Sequence, residues 1–248
     1  MIKTAVILAA GLGSRLKEKT ESKPKGFLDI EGKTLIQRSI DNLFRNGIEK
    51  IYIGSGYLSQ YYEELAKKYI EIECIKSDKY NSTSSMYTLY NMRRNIKEDF
   101  LLLESDLLYE NDALKTLLSD DKKNVILSSG ATNSGDEVYI EVDEDRNLIN
   151  MSKSKDGLKS IDSELVGISK ISYSKYQEMN ACFVKQFDKN SKADYEYIMV
   201  DTIEITKFYV KKLDNLLWCE IDDENHLNRA INIILPRIKT KDKMNKLI

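Results

Sequence analysis

The sequence predicts an α/β fold with a mixed, mainly parallel sheet flanked by helices and a small antiparallel extension. In the first half, apolar strand-like runs at residues 4–8, 51–53 and 100–103 alternate with helical patterns. This alternation is typical of βαβ units, which place parallel strands beneath covering helices. Beyond Asn124 strand-like runs follow one another with turn residues between them. That second pattern favours an antiparallel extension of the same sheet.

The individual elements follow from periodicity and end signals. A helix is expected at residues 35–44 because Thr34 can cap its start and Gly47 lies just beyond its end. The remaining patterns predict helices at 61–69, 86–92, 174–187 and 223–234, and strands at 70–75, 125–128, 138–142, 148–151, 165–171 and 216–221.

Length and charge restrict the organisation and the partners. A chain of 248 residues can form one domain, expected at residues 1–237, followed by a charged tail or linker at residues 238–248. The 38 basic and 40 acidic residues provide no overall positive field, so nucleic acid is not an expected partner. No apolar run is long enough for a membrane span, and the first apolar segment is too short for a signal peptide. A soluble, cytoplasmic protein is therefore expected.

Thiol and imidazole chemistry have little support. Cys74, Cys182 and Cys219 are widely spaced and lie in apolar surroundings, which favours reduced core thiols. His226 is the single histidine, and it has no second imidazole with which to share a metal. We expect it to have a surface or packing role, and we expect no Ser-His or Cys-His nucleophile.

The strongest functional motif is a glycine loop directly after the first strand. Gly11 and Gly13 allow backbone N–H groups to approach phosphate oxygens, and a Lys-Pro-Lys segment ending at Lys25 follows. Five basic residues lie between positions 15 and 25, where they could neutralise a triphosphate. The loop lacks both the third glycine of the dinucleotide fingerprint and the ending of a Walker A loop. A solvated basic loop is the alternative explanation.

With these motifs the chain resembles the nucleotidyltransferases of GT-A-like, Rossmann-type fold, which share the strand, the Leu-Ala-Ala-Gly-x-Gly-Ser-Arg loop and the Lys-Pro-Lys segment. The resemblance implies that Arg15 contacts the β- and γ-phosphates and that Lys25 approaches the α-phosphate, giving these two residues catalytic roles. It also implies a nucleotide site formed by Leu8, Ala10, Gly11, Gly13, Ser14, Arg15, Lys25, Thr83, Ser84 and Asp106.

Two acidic segments predict a metal site for Mg²⁺. Asp106 follows the buried strand at 100–103, at the sheet edge where open α/β folds bind ligands. Asp222 ends a later strand, and carboxylates from two such segments can share one Mg²⁺. Asp223 is expected mainly to cap a helix, and capping remains the alternative for Asp222. Glu104 departs from the Asp-x-Asp of many relatives, which leaves its part in metal binding open.

The acceptor side is predicted from a hydroxyl-rich segment and a later acidic one. Ser84 and Ser85 lie where a helix begins, so they can cap the helix, bind an acceptor anion, or do both. Asp194 and Glu196 could bind an acceptor ammonium, although the edge of a strand or helix would show the same pattern. Lys153 is a candidate for the acceptor phosphonate, with a solvated turn as its alternative.

The resemblance narrows to 2-aminoethylphosphonate cytidylyltransferases, cousins of phosphocholine cytidylyltransferases, on the segments Lys-Pro-Lys-Gly-Phe-Leu, Thr-Ser-Ser-Met-Tyr and Glu-Ser-Asp-Leu-Leu-Tyr-Glu. It implies CTP and a small phosphonate or phosphate acceptor as partners, and the charged tail could link to a fused aminotransferase. Phosphocholine or a sugar 1-phosphate remains an alternative acceptor. A metal-dependent glycosyltransferase and a non-catalytic nucleotide-binding regulator are the alternatives from other classes.

Overall fold

A computed structural model describes residues 2–16 and 18–245, so Met1, Lys17 and residues 246–248 lie outside the described ranges. The strands are β1 Thr4–Ala9, β2 Asp29–Ile30, β3 Lys33–Thr34, β4 Lys50–Ser55, β5 Ile72–Lys76, β6 Phe100–Glu104, β7 Leu107–Tyr109, β8 Val125–Ser129, β9 Tyr139–Val142, β10 Leu148–Ser152, β11 Ser163–Ile171, β12 Tyr209–Leu213 and β13 Trp218–Glu220. The α-helices are α1 Glu18–Glu21, α2 Leu35–Arg45, α3 Gln60–Ala66, α4 Ser85–Asn91, α5 Asp112–Ser119, α6 Tyr173–Gln186, α7 Tyr195–Asp201, α8 Glu224–Arg229 and α9 Leu235–Asn245.

The main sheet is mixed, as the sequence predicts. Its central path runs β10-β9-β11-β6-β1-β4-β5, and β8 joins β11 to β12. Strands β1, β4, β5 and β6 are parallel, with Val6 opposite Tyr52 on one side and Leu102 on the other. Strand β11 is antiparallel to β6 and begins the extension. The predicted fold class is therefore confirmed, and the carboxyl ends of the parallel strands meet at one edge.

The central strands are buried on both faces, which explains their nearly continuous apolar sequences. On β1, Ala5 and Ile7 belong to one hydrophobic cluster, and Val6 and Leu8 belong to another on the opposite face. Side chains alternate along a strand, so a run without polar residues is needed when helices cover both sides. Helix α2 starts at its predicted cap, since the Thr34 side chain accepts a hydrogen bond from the Gln37 N–H.

Several boundaries differ from the sequence predictions. The strand expected at residues 70–75 begins at Ile72, and Ile70 is 94% exposed. The strand expected at 216–221 is reduced to β13, which pairs with β7 outside the main sheet. Helices α5 and α7 and strand β12 were not predicted. Strand β12 contains two consecutive lysines, so its sequence shows only a weak alternation of apolar and polar residues. Its pairing with β8 stabilises the strand despite this weak local preference.

The end of the chain also differs from the expected solvated tail. A π-helical stretch over Ala230–Ile234 leads into α9, in which Pro236 is the second residue. A wide helical turn before a proline is a common way to accommodate the missing backbone N–H. Helix α9 crosses residue 237, and Ile238 is 8% exposed within a hydrophobic cluster. Ile238 therefore packs on the fold, while Lys239, Thr240 and residues 242–244 are exposed, and the assignment of residues 238–248 as a tail or linker stays a prediction.

Within the described ranges, the structure has no helix that combines the length and the apolar character needed for a membrane span.

Candidate active site

The glycine loop, the hydroxyl-rich segment and the acidic strand ends line one cleft of about 600 Å³ at the carboxyl edge of the parallel strands. This edge is the position expected for a ligand in an open α/β sheet. The described lining includes every residue predicted to bind the nucleotide or the acceptor: Leu8, Ala10, Gly11, Gly13, Ser14, Arg15, Lys25, Thr83, Ser84, Ser85, Asp106, Lys153, Asp194 and Glu196. The structure thus brings these residues together, and their individual roles stay predictions.

Two glycines of the loop serve different purposes. Gly13 has φ +66°, and a Cβ atom there would lie 2.9 Å from Cγ of Lys25. This glycine lets the loop turn and pack directly on the lysine that follows it. A Cβ atom at Gly11 would meet nothing within 4 Å. The Gly11 backbone therefore faces open space in the cleft, as an approach to phosphate oxygens requires.

Lys25 lies between the two predicted metal carboxylates. Its Nζ is 3.0 Å from Oδ2 of Asp106 and also donates to Oδ1 of Asp222. Burial alone would lower the pKa of Lys25, but these two carboxylates raise it well above its usual range. Burial would likewise raise the pKa of Asp222, which is 2% exposed, but Lys25 holds it well below its usual range. Both groups are therefore charged at neutral pH.

Arg15 reaches the same carboxylate from the rim of the cleft. Its guanidinium lies 2.8 Å from Oδ1 of Asp222 and pairs with Asp136. Asp136 belongs to the segment between β8 and β9, which the sequence analysis did not connect with the site. The two predicted phosphate-binding cations are thus held by carboxylates, and a nucleotide would have to replace those contacts.

Glu104, Asp106 and Glu220 form an acidic cluster in which one carboxylate oxygen from each lies within 4.8 Å of the others. Burial, assisted by the charge of Asp106, raises the pKa of Glu104 to about 7. Glu104 also accepts a hydrogen bond of 2.6 Å from the Tyr195 hydroxyl. From the sequence, the part of Glu104 in metal binding was open, and Glu220 was not a predicted metal ligand. The spacing was an available signal for Glu220. Residues two apart on an extended chain point to the same side, and Glu220 is two residues before Asp222.

These carboxylates fit a divalent cation. Oxygen atoms are the ligands preferred by hard cations, and three carboxylates from the ends of β6 and β13 cluster in this cleft. Oδ2 of Asp222 is also buried without a hydrogen-bond partner among the described residues. Bound metal would satisfy such an atom. The identity of the metal and the assignment of Asp106 and Asp222 as its ligands stay predictions.

On the acceptor side, Asp194 joins two helices. Its Oδ1 accepts hydrogen bonds from the Ser84 hydroxyl and, at 3.0 Å, from the Ser85 hydroxyl. The Ser85 oxygen accepts in turn from the Tyr195 N–H at 3.0 Å. These contacts fix the start of α4 against the start of α7. They also occupy one carboxylate oxygen of Asp194, the residue that was predicted to bind an acceptor ammonium. Thr83 lies beside them and donates to the Lys79 carbonyl at 2.6 Å.

Lys153 and Glu196 lie on the acceptor side with opposite environments. Glu196 is 7% exposed, and burial together with the charge of Asp194 raises its pKa to about 8. Lys153 is exposed. Its partial burial would lower its pKa, but Asp136 and Glu196 raise it. The charge of Lys153 lowers the pKa of Glu196 but does not offset its burial, so Glu196 needs a further cation beside it to be ionised at neutral pH.

A small chamber of about 70 Å³ adjoins the cleft, and both include Glu104, Lys153, Glu196 and Glu220 in their walls. Among the described residues, Trp218 and the imidazole of His226 are the aromatic groups that line the chamber, together with the cations Lys153 and Arg229. The indole Nε1 of Trp218 is buried without a hydrogen-bond partner in that part of the chain. The chamber therefore offers several carboxylates and one spare N–H donor.

His226 and Asp223 lie beside the acidic strand end. Asp223 caps α8 by accepting from the His226 N–H at 2.9 Å, which confirms its predicted capping role. His226 is 6% exposed, so a surface position is excluded. Cys219 is buried as predicted, whereas Cys74 and Cys182 are only partly buried, so the expected core placement holds for Cys219 alone.

Sequence comparison places several nucleotidyltransferases near this chain. Choline-phosphate cytidylyltransferase from Streptococcus pneumoniae is 35% identical over 107 residues, which cover 43% of this chain and 46% of that protein. The same enzyme from Haemophilus influenzae is 33% identical over 129 residues, covering 52% and 54%. The matches thus span about half the length of these two relatives. A CTP:phosphoglutamine cytidylyltransferase from Campylobacter jejuni is 24% identical over 88% of this chain and 95% of its own length.

Solved structures show the same fold over nearly the whole chain. The S. pneumoniae CTP:phosphocholine cytidylyltransferase structure superposes with a TM-score of 0.77 at 23% identity, covering 94% of this chain and 99% of that one. The inositol-1-phosphate CTP transferase of T. maritima gives a TM-score of 0.81 at 21% identity, with 96% of each chain covered. At these identities the likeness establishes the fold.

The family profile described as the MobA-like NTP transferase domain matches residues 5–161, more than half of the chain. The matched region contains the glycine loop, Lys25 and Asp106, which are the residues on which the nucleotidyltransferase prediction rested. The family profile therefore agrees with the predicted nucleotidyltransferase family. The chain belongs to the MobA-like NTP transferase family.

Proposed function

We propose that the protein is a Mg²⁺-dependent cytidylyltransferase that transfers CMP from CTP to 2-aminoethylphosphonate, giving CMP-2-aminoethylphosphonate and pyrophosphate. The observation that carries the proposal is the adjacency of two sites. The glycine loop, Lys25 and the carboxylates line a cleft, and this cleft opens beside a chamber walled by further carboxylates. The first arrangement suits a nucleoside triphosphate with its metal, and the second suits a cationic acceptor.

The reaction needs positioning and charge stabilisation more than proton transfer. A phosphonate oxygen of the acceptor attacks the α-phosphorus, a new P–O–P bond forms, and the bond to the β-phosphate breaks to release pyrophosphate. The attacking oxygen is already ionised at neutral pH, so no general base is required. Lys25 would stabilise charge at the α-phosphate and Arg15 charge on the leaving pyrophosphate. Mg²⁺ held by Asp106 and Asp222 would neutralise phosphate charge.

The base preference is supported by the relatives. The relatives from S. pneumoniae, H. influenzae and C. jejuni are all named as cytidylyltransferases. Their acceptors differ, so these names favour CTP as donor and leave the acceptor to the chemistry of the site.

The chamber favours a primary ammonium over a trimethylammonium. A trimethylammonium has no N–H donors and is typically bound by an aromatic cage. The described wall of the chamber has no aromatic cage, since its rings are Trp218 and the imidazole of His226. Its carboxylates, which include Glu196 and Glu220, outnumber its two cations. A primary ammonium can donate three hydrogen bonds to such carboxylates. Its charge would also favour ionised Glu196, whose pKa burial raises to about 8.

Pyrophosphate release tests the proposal. CTP, ATP, GTP and UTP are each combined with 2-aminoethylphosphonate, phosphoethanolamine, phosphocholine and a sugar 1-phosphate, and kcat/KM is compared. CTP with 2-aminoethylphosphonate should give the highest value. If phosphocholine or a sugar phosphate is used at least about tenfold better, equal to about 1.4 kcal/mol of transition-state stabilisation, the acceptor assignment fails. Absence of pyrophosphate with every pair would reject the reaction and favour a regulator or a glycosyltransferase.

Two variants test the residue roles in the same assay. Asp222→Asn should remove nearly all turnover with little change in secondary structure. Lys25→Met should lower kcat by about 10²–10³-fold, because a donor aimed at developing charge acts mainly in the transition state. A Lys25→Met effect confined to the KM for CTP would limit that residue to ground-state binding.

A further inference from the structure

His226 makes a hydrogen bond through each of its ring nitrogens. Nδ1 lies 3.3 Å from the backbone nitrogen of Asp222, and Nε2 lies 3.1 Å from the backbone oxygen of Ser134. The amide of Asp222 can only donate, and the Ser134 carbonyl can only accept. Nδ1 must therefore be the acceptor and Nε2 must carry the proton. The arrangement specifies one neutral tautomer of a side chain that is 6% exposed.

The Ser134 contact belongs to a larger attachment of residues 131–137, which we term the clasp segment. Arg229 of α8 donates to the Thr132 carbonyl at 3.2 Å, so α8 holds the clasp segment at two carbonyls. Within the clasp segment, Asp136 pairs with Arg15 across the cleft. One helix is thus connected both to the strand end that carries Asp222 and to the segment that holds Arg15.

We propose that His226 is a positioning residue with two separable duties in the nucleotidyl transfer, an inference that rests on the proposed function. Through Nδ1 it holds the backbone of Asp222, so that this carboxylate faces Lys25. Through Nε2, together with Arg229, it holds the clasp segment, and thereby Asp136, against Arg15. The first duty concerns the reacting end of the nucleotide, and the second concerns its β- and γ-phosphates.

The cap at the start of α8 explains why the imidazole can serve as a rigid bridge. Asp223 Oδ1 accepts from the His226 N–H, which fixes the backbone at the histidine. The ring is enclosed among residues that also line the small chamber, including Ser134, Trp218 and Arg229. A buried imidazole needs hydrogen-bond partners in any role, so the inference depends on which groups those partners are. Here, the Nδ1 partner is the backbone of the predicted metal ligand Asp222, and the Nε2 partner lies two residues from Asp136, which pairs with Arg15.

Two substitutions separate the duties. In His226→Asn, the side-chain oxygen reaches the Nδ1 position and can still accept from the Asp222 N–H, whereas the contact with Ser134 is lost. In His226→Gln, the amide nitrogen reaches the Nε2 position and can still donate to Ser134, whereas the acceptor for Asp222 is lost. Loss of a group that orients a ligand residue typically lowers activity by about 10–100-fold.

We therefore expect His226→Gln to lower kcat by about 10–100-fold with little change in the KM for CTP. His226→Asn should instead raise the KM for CTP and increase amide hydrogen exchange in residues 131–137. Arg229→Met should reproduce the His226→Asn pattern, because it releases the same segment at the Thr132 carbonyl. Hydrogen exchange and equilibrium binding of CTP require no turnover, so they test the inference even if the acceptor or the reaction is different.

Tyr176→Phe is the matched control. Tyr176 is fully buried, and its hydroxyl donates to the Leu89 carbonyl at 2.6 Å in the opposite hydrophobic cluster. Its loss should lower the melting temperature without changing kcat, the KM for CTP or exchange in residues 131–137. The inference is wrong if the two His226 variants change kcat and KM in the same way, lose similar stability and leave hydrogen exchange in residues 131–137 unchanged. Those results would show that His226 has a packing role.

Discussion

At the scale of single residues, the cleft contains charges that satisfy one another without a ligand. Lys25 and Arg15 both contact Oδ1 of Asp222, and the other carboxylate oxygen has no partner among the described residues. Removing one member of such a partly buried network leaves its partner uncompensated, which is costly. The same contacts keep the cations oriented toward the site. Substrate phosphates and metal can therefore exchange for existing partners instead of ordering free side chains.

Glu196 provides a prediction about pH at this scale. Burial and the charge of Asp194 raise its folded-state pKa to about 8 from its usual value of 4.5, so between these pH values the folded state holds a proton that the unfolded state has lost. The stability contribution is complete below about pH 4.5 and is lost as the pH rises through about 8. Glu196→Gln should make the free energy of unfolding less dependent on pH across this window, as measured by urea denaturation.

The exposed Glu144 gives the corresponding control. Glu144→Gln removes an exposed carboxylate and should leave the wild-type profile in place, because exposed substitutions usually change stability by less than about 0.5 kcal/mol. The prediction fails if the free energy of unfolding changes with pH equally in wild type and Glu196→Gln between pH 5 and 8. That result would show that Glu196 is ionised in the folded protein.

At the scale of elements, an irregularity in β11 shapes the acidic cluster. The pairing of β11 with β8 shifts register between Leu165 and Ser169, and Gly167 within this stretch has φ +79°. A Cβ atom at Gly167 would lie 2.8 Å from Oε2 of Glu104. Such bulges bend a strand and often occur beside active sites. Here the glycine lets the backbone of β11 approach a carboxylate on the neighbouring β6.

Gly167→Ala should therefore destabilise the fold by about 1–3 kcal/mol, because it combines an unfavourable φ with a close contact. It should also reduce turnover by displacing Glu104. Gly157→Ala is the matched control, since its nearest neighbour would lie at 3.5 Å and its φ is not positive. Denaturant midpoints and kcat measure the two effects. If the two variants have equal stability, the close approach at Gly167 is not a constraint.

At the scale of the whole molecule, α9 completes the hydrophobic cluster that supports the glycine loop. Ile238 belongs to the same cluster as Leu16, just after the loop, and Leu28, just after the Lys-Pro-Lys segment. Lys241 in α9 also pairs with Glu110 and Asp112, close to the end of β7. Substitutions in the segment expected to be a tail should therefore affect the stability of the nucleotide side of the cleft.

Two isoleucines make this expectation testable. Ile238 is 8% exposed and Ile233 is 50% exposed. Ile238→Ala should lower the free energy of unfolding by about 2–5 kcal/mol, as for other buried aliphatic truncations. Ile233→Ala should cost no more than about 0.5 kcal/mol, as is usual at exposed positions. A loss within 0.5 kcal/mol for Ile238→Ala, measured by urea denaturation, would show that α9 is dispensable for the core.

Local patterns in the sequence were sufficient for the fold class and for the location of the cleft. The apolar run of β1 leads directly into the glycine loop, and Asp106 and Asp222 each follow a short strand. These signals are reliable because strand periodicity, helix caps and turn-forming glycines depend on neighbours a few residues away. The cap at Asp223 was predicted for the same reason. Elements with weak local patterns, such as β12, were missed.

The pairing of the site residues was decided only by the tertiary structure. Lys25 is 197 residues from Asp222, and Ser84 is 110 residues from Asp194. Nothing in the local pattern shows that such groups meet, because the sheet order and the packing of α7 and α8 determine which chain segments adjoin. Burial is decided in the same way, and it is the main reason that the pKa of Glu196 is raised and that His226 is enclosed. The sequence therefore determined which chemical groups are present, and long-range packing determined their partners.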